Sequence, residues 1–152
     1  LSLESCVEVL RKGTSGVLAV SGDDGYPYAV PLSYVYDDGR LFFHCAPSGH
    51  KLDAIAGNEK ASFCVIDQDH VVPEEYTTYY RSVIAFGRAR VLEDEGEKRA
   101  ALEKLAERYS PRQEEGRRAE IDKLFQRVCM VELAVEHMSG KEAIELVTEK
   151  ER

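Results

Sequence analysis

Basic residues are in the minority in this chain. Lys and Arg number 20 against 28 Asp and Glu, a net charge of −8 over 152 residues. A surface of that sign repels nucleic acid and anionic membranes, which discounts both as partners. No apolar run approaches the roughly 20 residues a membrane helix needs. No signal peptide is visible, although the first residue is Leu1 rather than Met, as in a trimmed start. Patterned cysteine is also missing. Cys6, Cys45, Cys64 and Cys129 are far apart in apolar surroundings and form no Cys-x-x-Cys pair. Neither zinc nor a disulfide framework is therefore indicated, and free buried thiols in a reducing cytoplasm are the expectation. The chain shows no internal repeat, no low-complexity segment, no catalytic triad and no pair of catalytic acids.

The length suits one domain, residues 1–152, with a sizeable core. Hydrophobic content of 43% and charged content of 32% are those of an ordinary soluble globular protein. Leu3, Val7 and Leu10 keep a helical spacing that ends near Gly13. Gly16–Val20 reads as a buried strand, Tyr26–Tyr36 as a second and Leu41–Cys45 as a third. Asp23-Asp24-Gly25 and Asp37-Asp38-Gly39 supply the turns between them, so the three strands predict an antiparallel meander. Pro31 has no amide hydrogen to give a ladder. Its neighbours must therefore sit at an edge, at a bulge, or against a ligand, in which case the backbone of Val30, Pro31, Leu32 and Ser33 faces a bound planar group.

A helix opening at Ser48 places Leu52, Ile55 and Ala56 on its inner face and closes at Gly57-Asn58. Ala61–Ile66 predicts a buried strand, followed by a loop rich in acids and tyrosines through Glu75. A long strand then runs from about Tyr79 to Leu92, with a bulge or bend expected at Gly87. From Asp94 the period turns helical, with Ala101, Leu102, Leu105, Ala106 and Tyr109 on one face up to Ser110-Pro111. A second helix carries Ile121, Leu124 and Phe125, Cys129–Val135 is a last strand, and Ser139-Gly140-Lys141 opens a terminal helix. About six strands with few helices predict a mainly β fold, a small, partly open antiparallel barrel with peripheral helices.

The chemistry concentrates between Phe42 and Asp53, where an apolar run meets a polar corner and then a helix. Ser48 is placed to cap that helix, and Gly49 lets a ligand approach the backbone. His50 and Lys51 follow in the first turn, where the helix already carries partial positive charge. Cations there predict an anion: amides, a hydroxyl and two basic side chains make a phosphate site. A capped surface helix with two solvated bases is the plainer alternative. His44, at the end of the preceding strand, reads as a proton donor or as a structural histidine satisfied by backbone. His70 and His137 have no partners in the sequence. Tyr76, Tyr79 and Tyr80 suit either a pocket wall or a subunit interface.

Taken in order, Gly-Val-Leu-Ala (16–19), Gly-Tyr-Pro-Tyr-Ala-Val-Pro-Leu-Ser-Tyr (25–34), Leu-Phe-Phe-His-Cys-Ala (41–46), Gly-His-Lys-Leu-Asp (49–53) and Tyr-Arg-Ser-Val-Ile-Ala-Phe-Gly-Arg-Ala (80–89) are a familiar succession. It resembles the pyridoxamine 5′-phosphate oxidase-like split-barrel flavoproteins, most of all their nitroimidazole-resistance (Nim-type) branch. The likeness runs from about Val9 to Lys141. It implies a homodimer of six-stranded antiparallel split barrels with FMN at the subunit interface. It further implies that His50 and Lys51 hold the FMN phosphate with Ser48 contributing, and that Val30, Pro31, Leu32 and Ser33 lie along the ring. His44 would stand near the flavin as the catalytic group, and Arg81 and Ser82 would reach the cofactor, in one version from the partner subunit. No metal is implied.

Two departures matter. The Arg-Lys pair of the oxidases is His-Lys here, and the C-terminal Arg and His with which they hold pyridoxal phosphate have no convincing match. The expectation is therefore an FMN-dependent reductase of a small molecule, with a nitroaromatic compound as a candidate and reduced nicotinamide as a candidate electron source. A split-barrel protein using a deazaflavin or haem, and a flavin-binding dimer without turnover, are the alternatives.

Overall fold

The computed structural model describes residues 1–111 and 114–151. One sheet organises them. Its strands are β1 (Ser15–Ser21), β2 (Pro27–Ser33), β3 (Val35–Asp37), β4 (Arg40–Cys45), β5 (Lys60–Val72), β6 (Thr77–Val91) and β7 (Cys129–Glu142). All pairings are antiparallel, in the order β2-β1-β5-β6-β7-β4-β3. The helices are α1 (Leu3–Lys12), α2 (His50–Gly57), α3 (Glu95–Tyr109), α4 (Glu114–Leu124) and α5 (Ile144–Glu151).

The sheet has seven strands, not the six expected, and it is open. The difference arises at Tyr34. β2 and β3 occupy opposite edges of the sheet, yet this single residue joins them. The sheet must therefore roll until its edges approach, leaving a seam that no ladder crosses. Tyr34 is fully buried, and its hydroxyl donates to the carbonyl of Leu10 at 2.7 Å. Its amide leaves the ladder and donates to the Thr14 carbonyl (3.2 Å) and the Tyr109 hydroxyl (3.1 Å). The expected meander is thus two separate hairpins, β1–β2 and β3–β4, at the two edges. Both turns form as their sequences require: Asp24, Gly25, Asp38 and Gly39 all have positive φ between 44° and 80°.

Two apolar clusters flank the sheet. Inside the roll, Leu18, Phe43, Val65, Val83 and Leu133 surround Phe63, whose ring meets Tyr34 edge-on at 5.0 Å. Burying such side chains supplies most of the stabilisation, about 1.5–3 kcal/mol each. Outside it, Val35, Phe42 and Met130 pack against Ala101, Leu102 and Leu105 of α3 and Ile121 of α4. Cys6, Val9 and Leu10 of α1 join the inner cluster, whereas Leu3 is exposed, so the inner face of α1 differs from the spacing first read. In α2 the inward residues are Leu52, Ala54 and Ile55, and Ala56 is exposed.

Three further expectations fail for one reason, strand pairing. Residues 67–72, expected as loop, extend β5, because Gln68–Val72 pair with Thr77–Arg81. A register shift at this point leaves Asp67 as the extra residue, with its carboxylate 2.9 Å from Arg81 and 3.3 Å from Lys12. Ser139, Gly140 and Lys141 pair with Ile84, Val83 and Ser82, so the last helix begins only at Ile144. The predicted irregularity at Gly87 is present: register shifts there, and a Cβ would stand 1.9 Å from the carbonyl of Ala134. The last strand accordingly spans Cys129–Glu142, about twice the length read from its apolar residues.

Candidate functional site

Pro31 lies on an edge strand. β2 pairs with β1 alone, so its other edge faces the seam. Tyr28, Val30 and Leu32 turn inward against the core, while Pro31 and Ser33 are exposed on the outer face. Across the seam runs the stretch from the end of β4 to the start of α2. The β3–β4 register, Val35 opposite Phe42, would put Ser33 opposite His44 if it continued. Ser33 instead turns away to pair with Ser15. The two residues are nevertheless neighbours, because both line one cavity of about 220 Å³. At the other end of β2, the Tyr28 ring lies 4.6 Å from that of His50. β2 therefore spans the interval from His50 to His44, about 16 Å at ~3.3 Å per residue.

The α2 end differs from expectation in one respect. Ser48 is not the cap; Gly49 holds that position, at φ 150°, with no side-chain hydrogen bond. Ordinary side chains rarely adopt such a φ, so the glycine sets the approach to the helix. A Cβ on Gly49 would meet nothing within 4 Å, so the space in front of it is open. Among the described residues, no side chain caps the first turn of α2, the turn that carries His50 and Lys51. This is the arrangement that favours an anion. One carboxylate competes for it: Asp23 Oδ2 is 3.7 Å from His50 Nδ1.

At the other end, His44 alternates outward, between inward-facing Phe43 and Cys45. Among the described residues, neither the His44 ring nor the Ser33 hydroxyl has a protein hydrogen-bond partner. The remaining walls of their cavity are Leu102, Leu105, Ala106 and Tyr109 of α3, Leu124 of α4, and Val128. Among the described residues, no Lys, Arg, Asp or Glu lines it. The sequence reading missed this apolar wall, since it placed Leu102, Leu105, Ala106 and Tyr109 on one helix face without relating that face to a site. Burial pushes the neighbouring Cys45 thiol up to about 11, with Cys129 adding to the shift and the Lys51 charge opposing it.

Arg81 and Ser82 do not join this constellation within one chain. They lie nine to ten residues along β6 from Val91, the end nearest β4, which is about 30 Å of strand. Their side chains point to opposite faces. Arg81 binds Glu142 and Asp67 at 2.8 and 2.9 Å, and its pKa is raised, first by the Glu142 hydrogen bond. Ser82 lies on the outer face between Ile66 and Lys141. His137 stacks on Phe86 at 4.6 Å and His70 meets Tyr79 edge-on, so neither belongs to the seam. Tyr76 is 97% exposed in the β5–β6 turn, and Tyr79 is hydrogen-bonded to Glu75.

The sequence model of the pyridoxamine 5′-phosphate oxidase family matches residues 2–142. The chain belongs to that family. Solved structures share the fold. A candidate 5-nitroimidazole antibiotic resistance protein from Bacteroides thetaiotaomicron is 21% identical over 91% of this chain and 82% of its own, with a TM-score of 0.78. An FAD-binding protein from Mesorhizobium loti is 27% identical over 94% and 96%, TM-score 0.69. An FAD- and haem-binding protein from Mycobacterium smegmatis is 24% identical over 97% and 78%, TM-score 0.77. A comparison with curated proteins finds no match. The open seven-stranded sheet is accordingly the split barrel of this family. No helix of the described residues is long and apolar enough to cross a membrane.

Proposed function

We propose that this chain is an FMN-dependent reductase of a small, uncharged molecule. The observation that carries the reading is the juxtaposition across the seam. A free strand edge runs from a basic, uncapped helix start at one end to an unpartnered histidine in an apolar cavity at the other. Lys51, His50 and the α2 amides would hold the phosphate, with Ser48 in reach of it from the loop. The backbone from Val30 to Ser33 would lie along the ring, Pro31 keeping that edge from pairing with another strand. FMN, once bound, supplies the uptake and release of electrons. His44 would orient the substrate and deliver a proton to it at the imidazole nitrogen facing the cavity. The α3 wall would exclude water around that transfer.

The cavity also argues against pyridoxamine phosphate, since among the described residues no Lys or Arg lines it to meet a second phosphate. A volume near 220 Å³ suits a molecule of one or two rings. A nitroaromatic substrate and reduced nicotinamide as donor fit these limits.

Pairing of two chains is part of the proposal. The outer faces of β1, β5 and β6 carry Val17, Cys64, Ile66, Ile84 and Phe86, and α3 and α4 cover β3, β4 and β7 instead. Ile66 is 65% exposed there, beside Ser82. A second copy on this face would bury these side chains and carry Ser82 toward its partner's seam. Arg81, engaged by two carboxylates, would then serve to fix β6 rather than to touch the cofactor.

An absorbance spectrum of the purified protein, with mass spectrometry of what heat releases, tests the cofactor. FMN that bleaches with reduced nicotinamide is expected. A Soret band would replace FMN by haem, and flavin that no nicotinamide reduces would leave a binding dimer without turnover. Light scattering of the wild type and Ile66→Glu tests the pairing: a dimer and a monomer are expected, and a monomeric wild type overturns it.

A further inference from the structure

We propose that Cys45 and Cys129 form a peroxide-sensitive thiol pair that closes to an intrachain disulfide between β4 and β7, next to the helix start of α2. The two residues are direct partners in the antiparallel register, at the last rung of the β4–β7 ladder. Directly opposed residues of such a ladder have Cα atoms about 4.5–5.5 Å apart, within the roughly 4.4–6.8 Å a disulfide spans. Both side chains point to the inside of the barrel and pack on one cluster. The two thiols also act on each other electrostatically, since Cys129 adds to the upward shift of the Cys45 pKa. Being the terminal rung, this position can absorb the small backbone adjustment that a cross-strand bridge asks for.

The two thiols have different roles. Cys45 is 6% exposed and Cys129 is half-buried, so Cys129 is the one an oxidant meets. Burial holds Cys45 in its protonated form, so the more accessible Cys129 is the sulfur that attacks first. The Cys129 thiolate attacks hydrogen peroxide, the O–O bond breaks, and with one proton the products are a sulfenic acid and water. The Cys45 sulfur then attacks the Cys129 sulfur. The S–O bond breaks, and hydroxide leaves with the Cys45 proton as the second water. Two thiols are oxidised by two electrons and one peroxide is reduced. Cys6, in α1, and Cys64, on the outer face of β5, take no part.

The proposal does not depend on the flavin reading, and its test needs no cofactor. The folded protein is treated with hydrogen peroxide, alkylated under denaturing conditions, digested without reductant and mapped by mass spectrometry. The expected result is loss of two of the four thiols and one peptide pair joining Cys45 to Cys129. With Cys45→Ser, the bridge should vanish and dimedone should label Cys129 as sulfenic acid. With Cys129→Ser, peroxide should leave Cys45 reduced. Thiols that all survive, a bridge through Cys6 or Cys64, or a link only between chains would overturn it.

Discussion

β2 keeps one partner and one free edge, whereas β3 is paired with β4 and roofed by α3. The two come from one apolar, aromatic run of the chain and are separated only by Tyr34. β2 alternates between inward Val30 and Leu32 and exposed Pro31 and Ser33. β3 buries Val35 beneath α3, and Asp37 is tied to Lys104 of that helix at 2.7 Å. The lesson is that the break, not the composition, divides labour. One half of the run closes the core, and the other is released to border the seam. A residue that is fully buried, hydrogen-bonded at both backbone and side chain, and placed between two edges acts as the corner of the barrel.

The strongest way to break the contrast is Tyr34→Ala. It removes a buried aromatic ring and its bond to Leu10, and should cost about 3–5 kcal/mol in urea unfolding. A change below ~1 kcal/mol would mean that the corner is held by something else. His44→Ala tests the β2 side through chemistry. Flavin should stay bound while turnover falls about a hundredfold or more, as for loss of a general acid. An unfolded variant would instead assign His44 a structural role. Lys51→Ala should weaken FMN about tenfold by removing a charge-assisted phosphate contact, with stability unchanged; titration calorimetry reads both affinity and stoichiometry. Unaltered affinity would take Lys51 out of the site.

The smallest effect is one of pH. The folded-state pKa of Cys45 is raised from 9.0 to about 11, so the folded form binds this proton more tightly than the unfolded chain. Its contribution is complete below pH ~9 and is lost as pH rises toward ~11, on the order of 1 kcal/mol by pH ~10. Chemical denaturation at pH 8 and 10 should therefore show a shallower decline for Cys45→Ala than for the wild type. Equal slopes would contradict the shift.

Local signals made much of this legible. The Asp-Gly turns, the Asp94 and Ser110 limits of α3 and the bulge at Gly87 depend on neighbours in sequence, and each is where its residues put it. The family was legible too, because its segments stand in order along the chain. What could not be read is non-local. Nothing near Tyr34 announces that Leu10, Thr14 and Tyr109 will hold it, so one strand was expected where there are two. Residues 67–72 read as loop and 139–141 as the start of a helix until their cross-strand partners are known. At the candidate site, His44, Ser33, His50 and Lys51 could be named individually. The α3 wall could not, since Leu102 and Leu105 serve core and cavity with the same side chains.

Tyr109 stands at the junction of these regions. Its ring forms part of the cavity wall, and its hydroxyl accepts the Tyr34 amide and donates to the Thr14 carbonyl. The width of the gap and the position of the helix beside it are therefore not independent quantities. Any molecule large enough to push α3 outward must first loosen the bolt that keeps the barrel's lips in place, so the protein measures the size of its guest against its own closure.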